Sequence, residues 1–168
     1  VPKYLTEFRG DKIYVDSSIF LLVALADPKY GRPSLEFLQR ASHGEFELVT
    51  SSLTVDEVSF VALKAKLEEK LGVSSSQVLY LKKHPDVVKS LASEVTRVTE
   101  NVLRLSEIID VNSADVQQIS SLMKTFGLLP RDAIHLAVLH RLGLTDIASG
   151  DADFDRLPDV TRYAPSRS

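Results

Sequence analysis

The residues of this chain most suited to chemistry are carboxylates. Asp16 follows the apolar run "KIYV", and Glu57 lies within "SSLTVDEVSFV". Asp132 comes two residues after Pro130 in "LLPRDAIHLAVLHRLG". Asp151 follows "DIAS" by two residues, with Asp153 and Asp155 close behind. Like charges about 4 Å apart repel by roughly 4 kcal/mol at an effective dielectric of 20. A cluster of acids must therefore protonate, spread apart or hold cations. Oxygen ligands without any cysteine suit Mg²⁺ or Mn²⁺. Taken singly, each acid also has a structural reading. Asp16 is placed as a helix N-cap, and Glu57 closes a capping box with Thr54. Asp132 favours a helix dipole, and "SGDADFD" is a polar turn. If the acids do cluster, Asp16→Asn is expected to relieve repulsion in the metal-free protein.

Competing chemistries are poorly supplied. His43 and His84 read as loop residues, and His140 lies near a helix surface. His135 is one turn from Asp132, where it either packs in the core or supports the acids. No zinc spacing, G-x-S-x-G elbow, P-loop or G-x-G-x-x-G is present.

The elements that must position the acids follow from periodicity. Strands are expected at 12–15, 46–50, 108–111 and 146–149, with a short last one at 160–164. Between them, "SSIFLLVALAD" is apolar nearly all round and reads as a buried helix, broken by Pro28 and Gly31. Helices are expected at 32–44 and 51–72, the second stopped by Gly72, and two more at 74–84 and 85–105. Ser113 is placed to cap a helix that Gly127 ends, and Pro130 opens the next. Strands alternating with helices predict an α/β fold, a three-layer α/β/α sandwich whose mostly parallel sheet has four to five strands. The acids then stand on one edge of that sheet, beyond the carboxyl ends of its strands.

The chain has 168 residues, 44 % hydrophobic and 26 % charged, which fits a single domain over 1–168 with a real core. Residues 73–106 are polar and read as a helical insertion. A net charge of −3 offers no global field for nucleic acid, so any such contact needs a local basic patch. No apolar run is long enough to span a membrane, and "VPKYLTEFRGDK" lacks a signal-peptide apolar region. With no cysteine to pair, the chain suits a cytoplasmic location.

Together "IYVDSSIF", "VTSSLTVDEVSFV", "LLPRDAIHLAVLHRLGL" and "IASGDADFDRL" resemble the PIN domain over about residues 12–163, most nearly its small prokaryotic forms, many of them toxins of VapBC toxin–antitoxin pairs. The resemblance implies a metal-dependent endoribonuclease whose four catalytic acids fall on Asp16, Glu57, Asp132 and Asp151. Asp153 matches a further acid, and the hydroxyl that follows the first acid falls on Ser17 or Ser18. It also implies dimers and an antitoxin partner. One departure is the 74-residue segment 58–131 between the second and third acids, longer than is usual in the small toxins.

The chemistry expected is hydrolysis of RNA phosphodiesters. Asp16, Asp132, Asp151 and Asp153 bind Mg²⁺ or Mn²⁺, and Glu57 binds metal or orients water; one-ion and two-ion schemes both remain open. Substrate contacts are expected from Ser17 and from Lys64 and Lys66, which follow Glu57 on its helix, and from Lys82–Lys83. The lysines read equally well as a solvated face. Two alternatives compete. A haloacid-dehalogenase-like phosphatase would use Asp16, Thr50 and "GDADFD", but its second acid would fall on Ser18. A catalytically silent PIN-like scaffold or RNA-binding module would keep the acids as remnants. Apolar residues on "SLEFLQRAS" and "VLYLKKH" predict a homodimer.

Overall fold

The structure, a computed structural model, describes residues 3–167. Six short strands run β1 (Lys3–Tyr4), β2 (Lys12–Val15), β3 (Glu47–Ser51), β4 (Ser106–Ile109), β5 (Asp146–Ala148) and β6 (Thr161–Ala164). They form one sheet in the order β1-β6-β5-β2-β3-β4, and every described pairing is parallel. The path β2→β3→β4 steps to one side of β2, while β5 and β6 lie on the other. The chain thus reverses direction beside β2, which is where open α/β sheets leave a crevice.

Among the described residues eight α-helices cover the two faces: α1 (Ser17–Ala24), α2 (Gly31–Ser42), α3 (Ser52–Leu71), α4 (Gln77–Lys83), α5 (Pro85–Leu105), α6 (Ser113–Gln117), α7 (Ile119–Phe126) and α8 (Pro130–Arg141). Alternation along β2 divides the core. Ile13 and Val15 join Ile19, Phe20, Phe37, Val58 and Val102 on one face. Tyr14 points to the other face, with Leu136, Leu139 and Phe154. A smaller cluster, Leu67, Leu81 and Leu91, joins α3 to α4 and α5. The 73–106 segment is helical, and through Val102 it also reaches the main core.

Several local expectations shift. The sheet has six strands because β1, only two residues long, carries too little pattern to be read. The fourth strand runs 106–109 instead of 108–111. The helix expected after Ser113 is two helices meeting at Gln118. Its cap is Asn112, whose side chain accepts from Ala114 and Asp115 N–H while Asp115 bonds back to Asn112 N–H. Gly31 begins a helix. A Cβ there would lie 2.9 Å from the Leu22 carbonyl oxygen, so glycine lets α2 start against the end of α1.

α8 is held at its far end by an ion pair. Asp115 is fully buried and receives Arg141 Nε at 2.8 Å and Nη2 at 2.9 Å. The Arg141 hydrogen bonds outweigh burial and hold the Asp115 carboxyl below its usual range. That stabilisation is present above the unfolded carboxylate pKa and is lost as pH falls through the lower folded value. Arg141→Met strands a buried charge and is expected to cost about 3 kcal/mol at pH 7. Urea denaturation checks this, and the penalty is expected to shrink at pH 3, where Asp115 is neutral in the variant.

Candidate active site

Parallel strands bring the acids to one edge. β2 ends at Val15, and Asp16 N–H donates to the Ala148 carbonyl of β5 at 3.0 Å. Asp16 sits at the N-cap position of α1, yet its side chain makes no capping bond. Its carboxylate instead accepts from the hydroxyls of Ser17 at 3.2 Å, Ser18 at 2.8 Å and Ser149 at 2.7 Å. Ser18 in turn accepts Gly150 N–H at 2.9 Å, which ties the β2 and β5 loops together.

Glu57 lies in the second turn of α3 and is buried. The helix begins one residue after Ser51, so Glu57 is too deep to close a capping box with Thr54. Thr54 Oγ1 meets Thr50 Oγ1 at 2.7 Å instead. Glu57 Oε2 meets His135 Nε2 at 3.0 Å, and the same nitrogen is 3.7 Å from Asp16 Oδ1. His135 is 1 % exposed, and its Nδ1 meets the Tyr14 hydroxyl at 2.8 Å. His135 is therefore both packed and part of the site. Nε2–H donates to Glu57 whether the ring is neutral or charged.

Asp132 occupies the third residue of α8, one turn before His135. A helix running back to β5 puts its N-terminus at the carboxyl edge of the sheet. Oxygens of Asp132, Asp151 and Asp153 lie within 4.8 Å of one another, as do ligand atoms of Asp16, Glu57 and His135. Asp151 accepts Asp153 N–H at 2.8 Å, and Asp153 pairs with Arg156. Among the described residues Asp132 accepts no hydrogen bond. This half-buried, all-oxygen trio with an unpartnered carboxylate fits a hard divalent cation.

The two groups are balanced differently. Burial pushes Glu57 upward, but the His135 hydrogen bond and charge, with help from Ser17 and Arg131, hold it below its usual range. Burial lowers His135, but the Glu57 hydrogen bond and the charges of Asp16, Glu57 and Asp132 raise it above its ordinary value. Burial, with repulsion from Asp151 and Asp16, pushes Asp132 up to about 6.

The remaining sequence-derived residues fall in three places. Ser17 lies in the site, between Asp16 and Glu57. Lys64 is two turns along α3 from Glu57 on the same face, its Nζ 4.9 Å from the centre of the Phe60 ring. Lys66 is half a turn round from Glu57, 2.5 Å from Glu69 and 3.9 Å from Glu94. Asp155 belongs to neither group. Arg162 grips it with two bonds of 2.7 Å, fastening the turn after β5 to β6. Thr50 is fully buried against the Val15 carbonyl, out of reach of any phosphate substrate, and position 18 carries a hydroxyl that serves Asp16. Both facts oppose the phosphatase alternative. Sequence reasoning missed Tyr14, Ser149 and Arg131. Arg131 is exposed and its Nη1 lies 3.7 Å from Glu57 Oε1.

Relief of repulsion is expected at Asp132, since Asp16 has three donors to lose. An unfolded aspartate titrates near about 3.9, and the folded Asp132 near about 6. The folded state thus holds the extra proton between these values, and charging Asp132 costs stability fully only above pH 6. Asp132→Asn is expected to raise the melting temperature in EDTA at pH 7.5 by about 2–4 °C, roughly 1 kcal/mol. At pH 4 the gain should vanish, and Asp16→Asn should lower the melting temperature. Scanning fluorimetry at both pH values checks all three outcomes.

Similarity to known proteins agrees with this geometry. Over 149 residues the chain is 24 % identical to Ribonuclease VapC2 of Methanocaldococcus jannaschii, covering 88 % of this chain and 89 % of that one. The fold is similar to a chain of VapBC2 from Rickettsia felis, solved bound to a DNA fragment from its promoter, with TM-score 0.60, 12 % identity, and 92 % and 99 % of the two chains covered. It is also similar to Mycobacterium tuberculosis VapC20, described as a Sarcin-Ricin loop cleaving toxin, with TM-score 0.60, 14 % identity, and 89 % and 97 % covered. The PIN domain family model matches residues 13–160. With that match spanning the four strands β2 to β5 and every acid of the site, the chain belongs to the PIN domain family.

Proposed function

We propose that this protein is a divalent-metal-dependent endoribonuclease that hydrolyses RNA phosphodiester bonds. The observation that carries the proposal is the gathering of five carboxylates from separate parts of the chain at one sheet edge, with Asp132 left without a hydrogen-bond donor. Asp132, Asp151 and Asp153 would hold Mg²⁺ or Mn²⁺, with Asp16 beside them. When bound, such a cation offsets the charge of a phosphodiester and acidifies neighbouring water. Glu57, kept ionised by His135, serves to orient water or accept its proton. Ser17 and Ser18 fix the Asp16 carboxylate through their hydroxyls. Arg131, at the mouth of the site, holds substrate phosphate, and Lys64 extends that path along α3. We assign Lys66 to ion pairs with Glu69 on its own helix and with Glu94 on α5.

The likeness to VapC2 and to toxins of known structure supports a place in a toxin–antitoxin pair, with an antitoxin protein as partner. A homodimer is also proposed. Leu35, Val78 and Leu79, on the two helices singled out from sequence, are 42 %, 43 % and 54 % exposed, and a second copy would cover them. Among the described residues no helix is long and apolar enough to cross a membrane.

Four measurements test these readings. Wild-type protein is expected to cut single-stranded or looped RNA only with Mg²⁺ or Mn²⁺, and Asp132→Asn to lose at least about 100-fold in rate, since a missing ligand removes charge the transition state needs. Independently, Mn²⁺ should raise the melting temperature of wild type and not of the variant. Arg131→Ala should weaken RNA binding and flatten its salt dependence, as should Lys82→Ala with Lys83→Ala. Equal cutting by wild type and Asp132→Asn, with no thermal response to Mn²⁺, would leave a silent scaffold as the better reading. For assembly, light scattering at tens of micromolar is expected to give twice the chain mass, and Leu79→Glu to reduce it; a monomeric wild type would remove the dimer alone.

A further inference from the structure

Beside the acids lies a cavity of about 740 Å³ that the hydrolytic chemistry does not use. Its walls include Leu21, Leu22 and Leu25 of α1 and the loop after it, together with Tyr30 and Asp27. The size is that of an ordinary small-ligand site. It opens onto the acid cluster through shared residues. Asp151 lines it, and so does Ser18, whose hydroxyl holds Asp16. Gly150 stands at this junction, where a Cβ would come 3.5 Å from Ser18 Oγ and 3.8 Å from Leu22 Cδ1. Lys29 and Arg167 both approach the Tyr30 hydroxyl, so the cavity's outer rim carries positive charge.

Resting on the nuclease reading, we propose that this cavity receives the unpaired base of a nucleotide flanking the cut phosphodiester, and that Asp27 selects guanine. An apolar cavity next to a phosphate-handling site matches the chemistry of an unstacked nucleotide, which joins a flat apolar base to an anion. Single-stranded RNA offers such bases, splayed out to be gripped on their edges. The edge is chosen by the carboxylate. Asp27 Oδ1 accepts Lys29 N–H at 2.9 Å and Tyr30 N–H at 2.8 Å, which forms the turn into α2. Oδ2 takes no hydrogen bond among the described residues. A carboxylate oxygen only accepts, so it favours an edge that donates. Guanine alone presents two adjacent donors, N1–H and the 2-amino group. Adenine and cytosine set a ring-nitrogen acceptor beside their single amino donor, and uracil flanks its one N–H with two carbonyls. Charge-assisted hydrogen bonds of this kind are strong enough to discriminate at least roughly tenfold.

Nucleosides test the site without involving the acids, because they carry no phosphate. Guanosine and adenosine are titrated separately into the metal-free protein while the leucine methyl signals are followed by NMR. Guanosine is expected to shift Leu21, Leu22 and Leu25 and to bind at least tenfold more tightly than adenosine. Asp27→Asn keeps the turn through its amide carbonyl and puts an amide N–H where Oδ2 stood, so the preference should disappear or reverse. Leu25→Ala, at a position 45 % exposed, should weaken both nucleosides alike by several-fold. End-sequencing of cut RNA should place guanine at a fixed position beside the break, and Asp27→Asn should scatter it. Equal binding of the two nucleosides, or shifts confined to other leucines, would overturn the assignment. A protein that binds guanosine selectively but cuts no RNA would support the base site and sink the nuclease reading. One that cuts without any preference for guanine would do the reverse.

Discussion

Mutual repulsion among carboxylates is the constraint around which this molecule is arranged. Asp16, Glu57, Asp132, Asp151 and Asp153 share one edge of a parallel sheet. Each close pair costs roughly 4 kcal/mol if left uncompensated at an effective dielectric of 20. The protein offsets one part of this charge and leaves the other exposed to demand. Three serine hydroxyls and the imidazole of His135 surround Asp16 and Glu57. Asp132 receives nothing comparable, and its carboxyl is pushed to about 6. A site that satisfied all its acids would have no need of a cation, and one that satisfied none would strain the fold.

The compensated half depends on the core beneath it. The Tyr14 hydroxyl meets the other nitrogen of His135 and so orients the ring towards Glu57. Tyr14 belongs to the central strand and packs with Leu136 and Leu139 of the same helix that carries Asp132. Strand β2 thus supplies Asp16 from its end and the support for His135 from its interior. The ion pair of Asp115 with Arg141 anchors the opposite end of α8. Shifts of that helix would move Asp132 and His135 together, so the two halves of the site keep their relation to each other.

Much of this frame was legible in the sequence because it is written in periodicity and in turn residues. The central strand at 12–15, the helix ended by Gly72 and the one opened by Pro130 all stand where patterning places them. What escaped has physical reasons. β1 is two residues long and owes its place to pairing with β6, a contact between the chain's two ends. The break at Gln118 interrupts a continuous apolar pattern, and Asn112 outcompetes Ser113 because its longer amide reaches two backbone N–H groups. The four acids were readable as residues at element ends. Their supports were not: Ser149, Tyr14 and Arg131 meet the site only through tertiary packing, and Thr54-x-x-Glu57 imitates a capping box that the true helix start makes impossible. The spacing of His135 from Asp132 shows that they share a face, but not that a strand-borne tyrosine lies on the far side.

The acid cluster also poses a problem for any polyanionic substrate, because the chain carries a net charge of −3 and gathers five carboxylates at its site. Attraction must therefore be local. At physiological ionic strength exposed charges act over about 8 Å, so distant surface acids count little against cations next to the site. Arg131 stands at the Glu57 side of the cluster, and Lys29 and Arg167 stand by Tyr30 at the cavity on the Asp151 side. Positive charge thus flanks the carboxylates on two sides, and Asp132 between them, where a cation would complete the site, has no partner of its own among the described residues. Under the proposed function, an RNA strand drawn across that line would be held at its outer phosphates before its central one met the acids. In the proposed function, binding and bond cleavage would be carried by different residues, with charge of both signs placed at one edge of the sheet.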